Sequence, residues 1–232
     1  MDILLYTHSD YSWVWPYWLG QTEKYHCFDD RKVIVDADPK QILSKTDFAF
    51  TDYYYYDSKK SYRDRVLQAL HKMHVRNRPV LFMHEDMFLY KAPDSQKLEE
   101  FYNLVDSDKA DVVKLIRAED FLRKSDIHPN LYLNPPNLRF AIQPSIIKIS
   151  KLIEVFEGCS GGSIWELESR MFTTPAIDPS KSFFCYNGES KRGTSHYDSS
   201  IYPYVATAVV KGKWNMYEYK EELTRIFNEY KQ

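Results

Sequence analysis

The first half of the chain alternates between short apolar runs and amphipathic stretches. Short apolar runs predict buried strands, and apolar residues that recur every three or four positions predict helices. The predicted strands of this half cover residues 3–7, 32–35, 48–56, 80–83 and 111–116. The predicted helices cover residues 12–25, residues 61–74 and a stretch after Asp94, which suits an N-cap. This alternation predicts an α/β fold with a central, mostly parallel sheet flanked by helices.

The second half is less regular. Its predicted strands cover residues 140–149, 182–186 and 204–210, and its predicted helices cover residues 150–157 and 164–172 and a closing segment around Leu223. Residues 187–200 are polar and contain two glycines, so they predict a mobile loop. No linker divides the chain, which indicates a single Rossmann-related domain.

Composition narrows the possible functions. The net charge is −2, from 31 basic and 33 acidic residues, which predicts no binding to nucleic acid or to an acidic membrane surface. Only 7 glycines occur, and neither Gly-rich nucleotide fingerprint is present, which disfavours dinucleotide and P-loop chemistry. Aromatic residues make up 16% of the chain, so disorder is excluded.

Cysteine usage and the amino terminus indicate the compartment. The three cysteines are isolated, which gives no zinc framework and suits a reducing environment: Cys27, Cys159 and Cys185. The amino terminus lacks the basic residues and the long apolar run of a signal peptide. No run of about 18 apolar residues predicts a transmembrane helix. We therefore expect a soluble intracellular protein.

The clearest candidate site lies in residues 80–90, where His84, Glu85 and Asp86 stand between two apolar runs. Ligands of open α/β sheets bind beyond the carboxyl ends of the strands, so a buried strand would present these carboxylates to a ligand. Two carboxylates suit Mg²⁺ or Mn²⁺ together with substrate phosphates. The alternative is a polar turn in which Asp86 accepts a backbone amide.

Residues 158–168 form a Gly-rich turn that leads into a predicted helix with Ser163 as a possible cap. Glu166 and Glu168 cannot face the same side of a helix, so at most one points into a site. A carboxylate beside Trp165 could have a raised pKa, as a general base requires. The alternative is a surface helix whose first-turn acids favour the helix dipole.

Residues 191–198 hold Lys191, Arg192 and His196 in a Gly-containing loop. Basic residues in such a loop can close over phosphates, and the histidine could complete a metal's coordination. An ordinary solvated loop is the alternative.

The polar segment after the first strand is a candidate nucleotide site, because nucleotide-binding α/β folds place base and ribose contacts there. Thr7 and Ser9 offer hydroxyl groups, Tyr11 offers a ring for stacking, and Asp36 follows the neighbouring strand. The residues assigned to this site are Thr7, His8, Ser9, Tyr11, Asp36 and Arg65.

The order of these elements resembles small nucleotide-sugar glycosyltransferases of the GT-A type, particularly short ones from bacteria and large viruses. Residues 7–11 follow the first strand, residues 84–86 stand where the family carries Asp-x-Asp, and residues 165–168 form an acidic helix. A late loop with His196 and the segment 209–214 follow. The resemblance spans nearly the whole chain.

The resemblance implies a GT-A-like enzyme that moves a sugar from a nucleotide diphosphate to a hydroxyl of a glycan or glycoconjugate acceptor. Asp86, with Glu85, would hold Mn²⁺ or Mg²⁺ against the two phosphates. Glu166 or Glu168 would deprotonate the acceptor in an inverting displacement.

His196 would be a further metal ligand, and Lys191 and Arg192 would help to close the late loop. Residues 1–116 would form the nucleotide-binding half and residues 117–232 the acceptor-binding half. The implied location is the cytoplasm of a bacterium or a virus-infected host cell. Two alternatives remain open: a metal-dependent nucleotidyltransferase or phosphoesterase, and a non-catalytic carbohydrate-binding protein.

Overall fold

The computed structural model describes residues 1–25, 29–38, 50–74, 77–117, 119–120, 122–159, 163–164, 166–167, 174–193 and 196–230. Its described helices are α1 (Trp15–Tyr25), α2 (Tyr62–Leu70), α3 (Ser95–Asp106), α4 (Ile149–Gly158) and α5 (Lys220–Glu229). Short 3-10 turns lie at Ser9–Tyr11 and Pro179–Lys181. No helix within the described ranges combines the length and apolar character needed to cross a bilayer.

Within the described ranges, eight strands form one sheet in the order β3-β2-β1-β4-β7-β5-β8-β6. These strands are β1 (Asp2–Tyr6), β2 (Arg31–Val35), β3 (Asp52–Tyr55), β4 (Pro79–His84), β5 (Val112–Lys114), β6 (Leu131–Leu133), β7 (Ser145–Lys148) and β8 (Ser182–Cys185). Two small hairpins stand apart from the sheet: β9 (Lys191–Arg192) with β10 (His196–Tyr197), and β11 (Val209–Val210) with β12 (Lys213–Trp214). The predicted α/β fold with a mostly parallel, helix-flanked sheet is confirmed.

The sheet is parallel from β3 through β2 and β1 to β4, and antiparallel on both sides of β7. Strands β4 and β5 are both antiparallel to β7, so they run in the same direction, and β8 is parallel to β5. Strands β1, β2, β4, β5 and β8 therefore end at one shared edge of the sheet. This carboxyl edge is the place where α/β proteins bind ligands.

Burial explains why the central strands form here. Every residue of β4 is buried, and β1 and β2 are buried at four of their five positions. Continuous apolar runs of this kind are typical of parallel strands that are covered on both faces. The helix α3 packs against β4, β5 and β7, while α2 packs against α4 and β3.

Two helices begin where the sequence predicts, because a side chain satisfies a free backbone amide. The Ser61 hydroxyl accepts a 3.2 Å hydrogen bond from the amide of Asp64 at the start of α2. The Asp94 carboxylate accepts a 3.0 Å bond from the amide of Lys97 at the start of α3. These N-caps replace bonds that the first helical turn cannot make internally.

Several predicted elements differ from the structure. The predicted strand 204–210 is wrong except for its last two residues; the apolar run 204–206 is buried in the core without forming a regular ladder. The predicted strand 140–149 begins only at Ser145. The predicted mobile loop 187–200 contains the β9–β10 hairpin. The strands β6 and β12 were not predicted, and most of the predicted helix 164–172 lies outside the described residues.

Candidate functional site

The candidate site lies where β1 and β4 end side by side. Tyr6, the last residue of β1, pairs with His84, the last residue of β4. Strands β2 and β3 lie on one side of β1, and β4 lies on the other, so the strand order reverses at this point. Such a reversal opens a crevice between the loops that leave the two strands. Residues 7–11 and residues 85–86 border this crevice.

The loop after β1 is tied to the end of β2. The backbone amide of Ser9 donates to one oxygen of the Asp36 carboxylate at 2.7 Å, and its hydroxyl donates to the other at 2.8 Å. His8 contributes a third contact, with 3.3 Å between its Nε2 atom and the Asp36 carboxylate. The structure thus brings together three of the residues predicted for the nucleotide site.

These contacts select one form of the His8 ring. Its Nδ1 atom accepts a 3.1 Å bond from the backbone amide of Asp10, so this nitrogen carries no proton in that arrangement. The proton then lies on Nε2, which faces Asp36. The His8 ring is therefore oriented by a backbone amide on one side and the Asp36 carboxylate on the other.

Thr7 has a different environment from the predicted nucleotide contact, because it is fully buried. Its hydroxyl accepts a 2.8 Å bond from the indole of Trp15, and its carbonyl accepts a 2.8 Å bond from the hydroxyl of Tyr56. The same hydroxyl hydrogen-bonds Glu85 and lowers the pKa of that carboxyl. Thr7 therefore connects the loop after β1 to the acidic residues after β4.

The two acidic residues after β4 are desolvated. Glu85 is 7% exposed and Asp86 is partly buried. Burial raises the pKa of Glu85 well above its ordinary value, and the neighbouring Asp86 charge raises it further. Burial also raises the pKa of Asp86 to about 7, although the backbone amide of Val209 hydrogen-bonds the carboxylate and opposes the shift.

Within the described part of the chain, no basic side chain forms an ion pair with either carboxylate. Two close, desolvated carboxylates without a cation repel each other, so the pair gains from binding a proton or a metal ion. Mg²⁺ and Mn²⁺ bind well to one or two carboxylates when phosphates and water supply the remaining ligands. The donor set of this pair fits such an ion.

His196, predicted as a further metal ligand, already has protein partners at both ring nitrogens. Its Nδ1 atom lies 3.1 Å from the Glu218 carboxylate, and its Nε2 atom lies 3.5 Å from the hydroxyl of Thr207. Among the described residues, no group of three or more His, Cys, Asp or Glu side chains is arranged to hold a metal ion. A metal ion in this region would therefore depend on Glu85 and Asp86.

His84, at the position of the family motif's first acid, belongs to the core. Its Nε2 atom shares a 2.8 Å hydrogen bond with the hydroxyl of Tyr62, and its ring centroid lies 5.1 Å from that of Tyr6. Burial lowers the pKa of His84 to about 3, so the ring is neutral at physiological pH. His84 fixes the end of β4 and thereby the acidic pair that follows.

Arg192 has a different role from the predicted phosphate contact. Its guanidinium binds the Asp198 carboxylate at 2.6 Å and the Glu222 carboxylate at 2.8 Å, and it donates to the carbonyl of Glu218 at 2.8 Å. These contacts fix the β9–β10 hairpin to α5. The neighbouring Lys191 is exposed and lies 3.7 Å from the Asp120 carboxylate.

Glu166, one of the two predicted bases, is exposed, so it lacks the desolvation that the base hypothesis requires. Its carboxylate accepts a 3.1 Å bond from the amide of Ser163, and its amide donates to the Ser163 hydroxyl at 3.3 Å. This reciprocal pair is a capping box, which matches the alternative interpretation. Glu168 and Trp165 lie outside the described residues.

Two further residues assigned to the nucleotide site border this region. Arg65 donates to the carbonyl oxygens of Lys60 and Ser58, and its guanidinium stands 5.6 Å from the ring centroid of Tyr56. Tyr11 is 37% exposed, so its ring is accessible for stacking. Arg65 supports the loop before α2, and Tyr11 lies on the 3-10 turn after β1.

Sequence reasoning missed the groups that support the acidic pair. Trp15 and Tyr56 hold Thr7 in place, and the amide of Val209 binds Asp86. The aromatic residues near the strand ends were a signal for buried support of this kind. The Val209 contact had no sequence signal, because it joins two distant segments through a backbone group.

No protein-family model and no curated protein matches the chain. A solved 4-diphosphocytidyl-2C-methyl-D-erythritol synthase is similar, with 13% identity and a TM-score of 0.49 over 77% of this chain and 86% of that chain. The same enzyme from Anaerococcus prevotii DSM 20548 gives 12% identity and a TM-score of 0.43 over 72% and 79%. The bifunctional IspDF from Campylobacter jejuni has 10% identity and a TM-score of 0.39, over 73% of this chain and 47% of that chain. Likeness at this level carries no argument about activity.

Proposed function

We propose that this chain is a transferase that binds a nucleotide-diphosphate donor at the crevice between β1 and β4. The observation that carries the proposal is the pair of desolvated carboxylates, Glu85 and Asp86, at the point where the strand order reverses. Burying two carboxylates side by side is costly, and a structural role alone does not require it. Perturbed acids in a crevice are typical of functional sites.

The two sides of the crevice would bind different parts of the donor. His8, Ser9 and Asp36 form an ordered polar cluster after β1 and β2, where α/β proteins bind the ribose. The exposed ring of Tyr11 would stack on the base. Glu85 and Asp86 would lie near the diphosphate, which places the leaving group at the acidic pair.

A divalent cation held by Glu85 and Asp86 would neutralise charge that develops on the departing diphosphate. The chain's own residues prepare this place: Thr7 positions Glu85, and the amide of Val209 positions Asp86. Deprotonation of the acceptor is assigned to Glu166 or Glu168 by the family resemblance alone. The capping contacts of Glu166 favour Glu168 for that role.

Glycosyl transfer is the preferred reaction, and nucleotidyl transfer is the second candidate. The acidic pair suits both, because both reactions release a phosphate-containing group. Residues 7–13 contain no lysine or arginine to neutralise a triphosphate. This favours a nucleotide-diphosphate donor, and the product identifies the reaction: a nucleoside diphosphate from glycosyl transfer, or pyrophosphate from nucleotidyl transfer.

The test is to titrate the full chain with nucleoside diphosphates, nucleotide sugars and nucleoside triphosphates, with and without Mn²⁺, and to follow binding by calorimetry and product by chromatography. We expect saturable binding that weakens at least about tenfold in Asp86→Asn and Glu85→Gln when Mn²⁺ is present. Glu99→Gln, at an exposed acid on α3, is the matched control and should bind as the unaltered chain does. Absence of nucleotide binding under all conditions would contradict the proposal.

A further inference from the structure

Large apolar side chains are exposed mainly on two segments of the described chain that touch each other. Tyr11 and Trp13 belong to one segment, and Val210, Met216 and Tyr217 belong to the other. The segments meet where the rings of Trp13 and Trp214 pack edge to face, with centroids 4.7 Å apart. The other large apolar side chains exposed in the described ranges are Tyr55 and Ile127.

We name this surface the hairpin patch, after the β11–β12 hairpin at its centre. Its members are Trp13, Val210, Lys211, Lys213, Met216 and Tyr217. Tyr217 is 90% exposed, which is unusual for so large an aromatic side chain. Contiguous exposed apolar residues on a soluble fold are typical of an interaction surface.

The hairpin holds its outer face away from the protein. Val209 pairs with Trp214, and Val210 pairs with Lys213, so each pair shares a face of the hairpin. The Trp214 face is directed inward, where its ring packs on Tyr17 and Phe227 at centroid distances of 5.3 and 4.7 Å. The face with Val210 and Lys213 is exposed.

The tip of the hairpin protrudes into open space. Lys211 and Gly212 both have positive φ angles, 51° and 73°, which defines a tight two-residue turn. In the described chain, no non-neighbouring atom lies within 4 Å of the position that a Cβ on Gly212 would take. Small-molecule sites are concave, so a protruding tip is unsuited to a small ligand.

Met216 and Tyr217 are also presented on a fixed backbone. The amide of Asn215 donates to the carbonyl of Ala208 at 2.8 Å, and its side-chain amide donates to the carbonyl of Thr207 at 3.1 Å. The amide of Tyr219 closes the turn on the carbonyl of Asn215 at 3.2 Å. The exposed side chains therefore project from an ordered turn.

The charge of the hairpin segment, residues 208–217, is one-sided. Residues 208–217 contain Lys211 and Lys213 and no acidic residue. Lysine stems can lie along an apolar surface while the ammonium groups reach anionic headgroups. Tyr and Trp side chains favour the boundary between lipid and water. This combination complements an anionic bilayer surface.

We propose that the hairpin patch docks the protein reversibly onto anionic membrane surfaces. Val210, Met216 and Tyr217 would enter the boundary between headgroups and acyl chains, and Lys211 and Lys213 would bind the headgroup phosphates. The proposal does not depend on the reaction at the crevice. If both hold, the docked surface lies next to the crevice, because residues 208 and 209 hydrogen-bond Asp86, and a membrane-anchored acceptor would suit this arrangement.

The test is flotation of the full chain with vesicles of phosphatidylcholine alone or mixed with phosphatidylglycerol. We expect binding to the mixed vesicles that decreases as salt is raised. Lys211→Glu with Lys213→Glu should lower partitioning at least about tenfold, because each lysine near an anionic surface contributes measurably. Met216→Ser with Tyr217→Ser should lower it by about the same factor.

Tyr55→Ser and Lys59→Glu are the controls, because both residues are exposed and lie outside the patch. They should partition as the unaltered chain does, and circular dichroism of every variant should show the native fold. Absence of flotation with anionic vesicles would overturn the proposal, as would equal losses in the controls. A dimer in analytical ultracentrifugation that the Met216 and Tyr217 variant abolishes would also overturn it and identify a protein interface.

Discussion

At the scale of single residues, Asp86 shows what a sequence can and cannot provide. Its position after a buried apolar strand predicts a carboxylate at the sheet edge, and the structure places it there. Its pKa is raised by burial among its neighbours, and the amide of Val209 opposes the shift; no local pattern reveals either contribution. The prediction that Asp86 accepts a backbone amide and the prediction of a ligand site are thus compatible.

Asp86→Asn should make stability less dependent on pH. An ordinary aspartate titrates near pH 4 in the unfolded chain, whereas the folded Asp86 titrates at about 7. The folded state holds the proton more tightly, so this contribution is fully present below about pH 4 and is lost as pH rises through 7. The variant should therefore be more stable than the unaltered chain at pH 8, by about 4 kcal/mol, because each tenfold difference in proton affinity corresponds to about 1.4 kcal/mol.

Urea unfolding at pH 5 and pH 8 measures this difference. The free energy of unfolding that Asp86→Asn gains over the unaltered chain should be larger at pH 8 than at pH 5. Asparagine keeps an oxygen for the Val209 amide and carries no charge at either pH. Glu99→Gln should show no such increase, because Glu99 is exposed. An equal effect of Asp86→Asn at both pH values would contradict a desolvated carboxylate.

At the scale of elements, prediction succeeded where a helix cap or a continuous apolar run acts locally. Helices α2 and α3 and the strands β1, β2 and β4 have such signals. The run at 204–206 is equally apolar but forms only an isolated bridge between Tyr204 and Leu89, which tertiary structure decides. Strands of two or three residues, such as β6 and β12, are too short for an alternation of apolar and polar residues to be recognised.

The β9–β10 hairpin depends on Arg192, and Arg192→Ala should destabilise the protein by about 2 kcal/mol. The change removes contacts to Asp198 and Glu222, and it leaves Glu222 partly buried without its partner. Arg192→Lys should recover little, because one ammonium group cannot reproduce the forked contacts. Thermal or urea unfolding measures both effects.

Lys191→Ala is the matched control, since Lys191 is adjacent, exposed and only loosely paired with Asp120. It should change stability by less than about 0.5 kcal/mol. A loss of nucleotide affinity in Arg192→Ala without a loss of stability would restore the predicted phosphate role of this residue.

At the scale of the whole molecule, the predicted α/β class is correct because the alternation of strand and helix repeats over the first 116 residues. The overall charge of −2 indicated no affinity for an anionic membrane. A sum over the chain cannot show that residues 208–217 carry only positive charge, or that they stand beside exposed aromatic rings. Such surfaces form only when distant segments fold together.

Helix α1 packs against the end of α5, where Gly20 lies against the ring of Tyr230. A Cβ on Gly20 would overlap the ring of Tyr230. Gly20→Ala should therefore destabilise the protein by about 1–2 kcal/mol, although alanine in a helix ordinarily stabilises by about 1 kcal/mol. Comparing the unfolding free energies of the variant and the unaltered chain shows whether Gly20→Ala stabilises or destabilises the protein.

The control is the same change combined with Tyr230→Ala. With the ring removed, Gly20→Ala should become stabilising by about 0.5–1 kcal/mol, because only the helix preference remains. If Gly20→Ala has the same sign in both backgrounds, the close packing of α1 on α5 is not its cause.

The hydrogen bond from the amide of Val209 to Asp86 links the protonation state of Asp86 to the β11–β12 hairpin. The bond lowers the pKa of Asp86, so by thermodynamic reciprocity ionisation of Asp86 strengthens the hold on Val209. Protonation of Asp86 weakens this contact at the base of the β11–β12 hairpin. Events at the outer surface and at the acidic pair are therefore coupled through one titrating group.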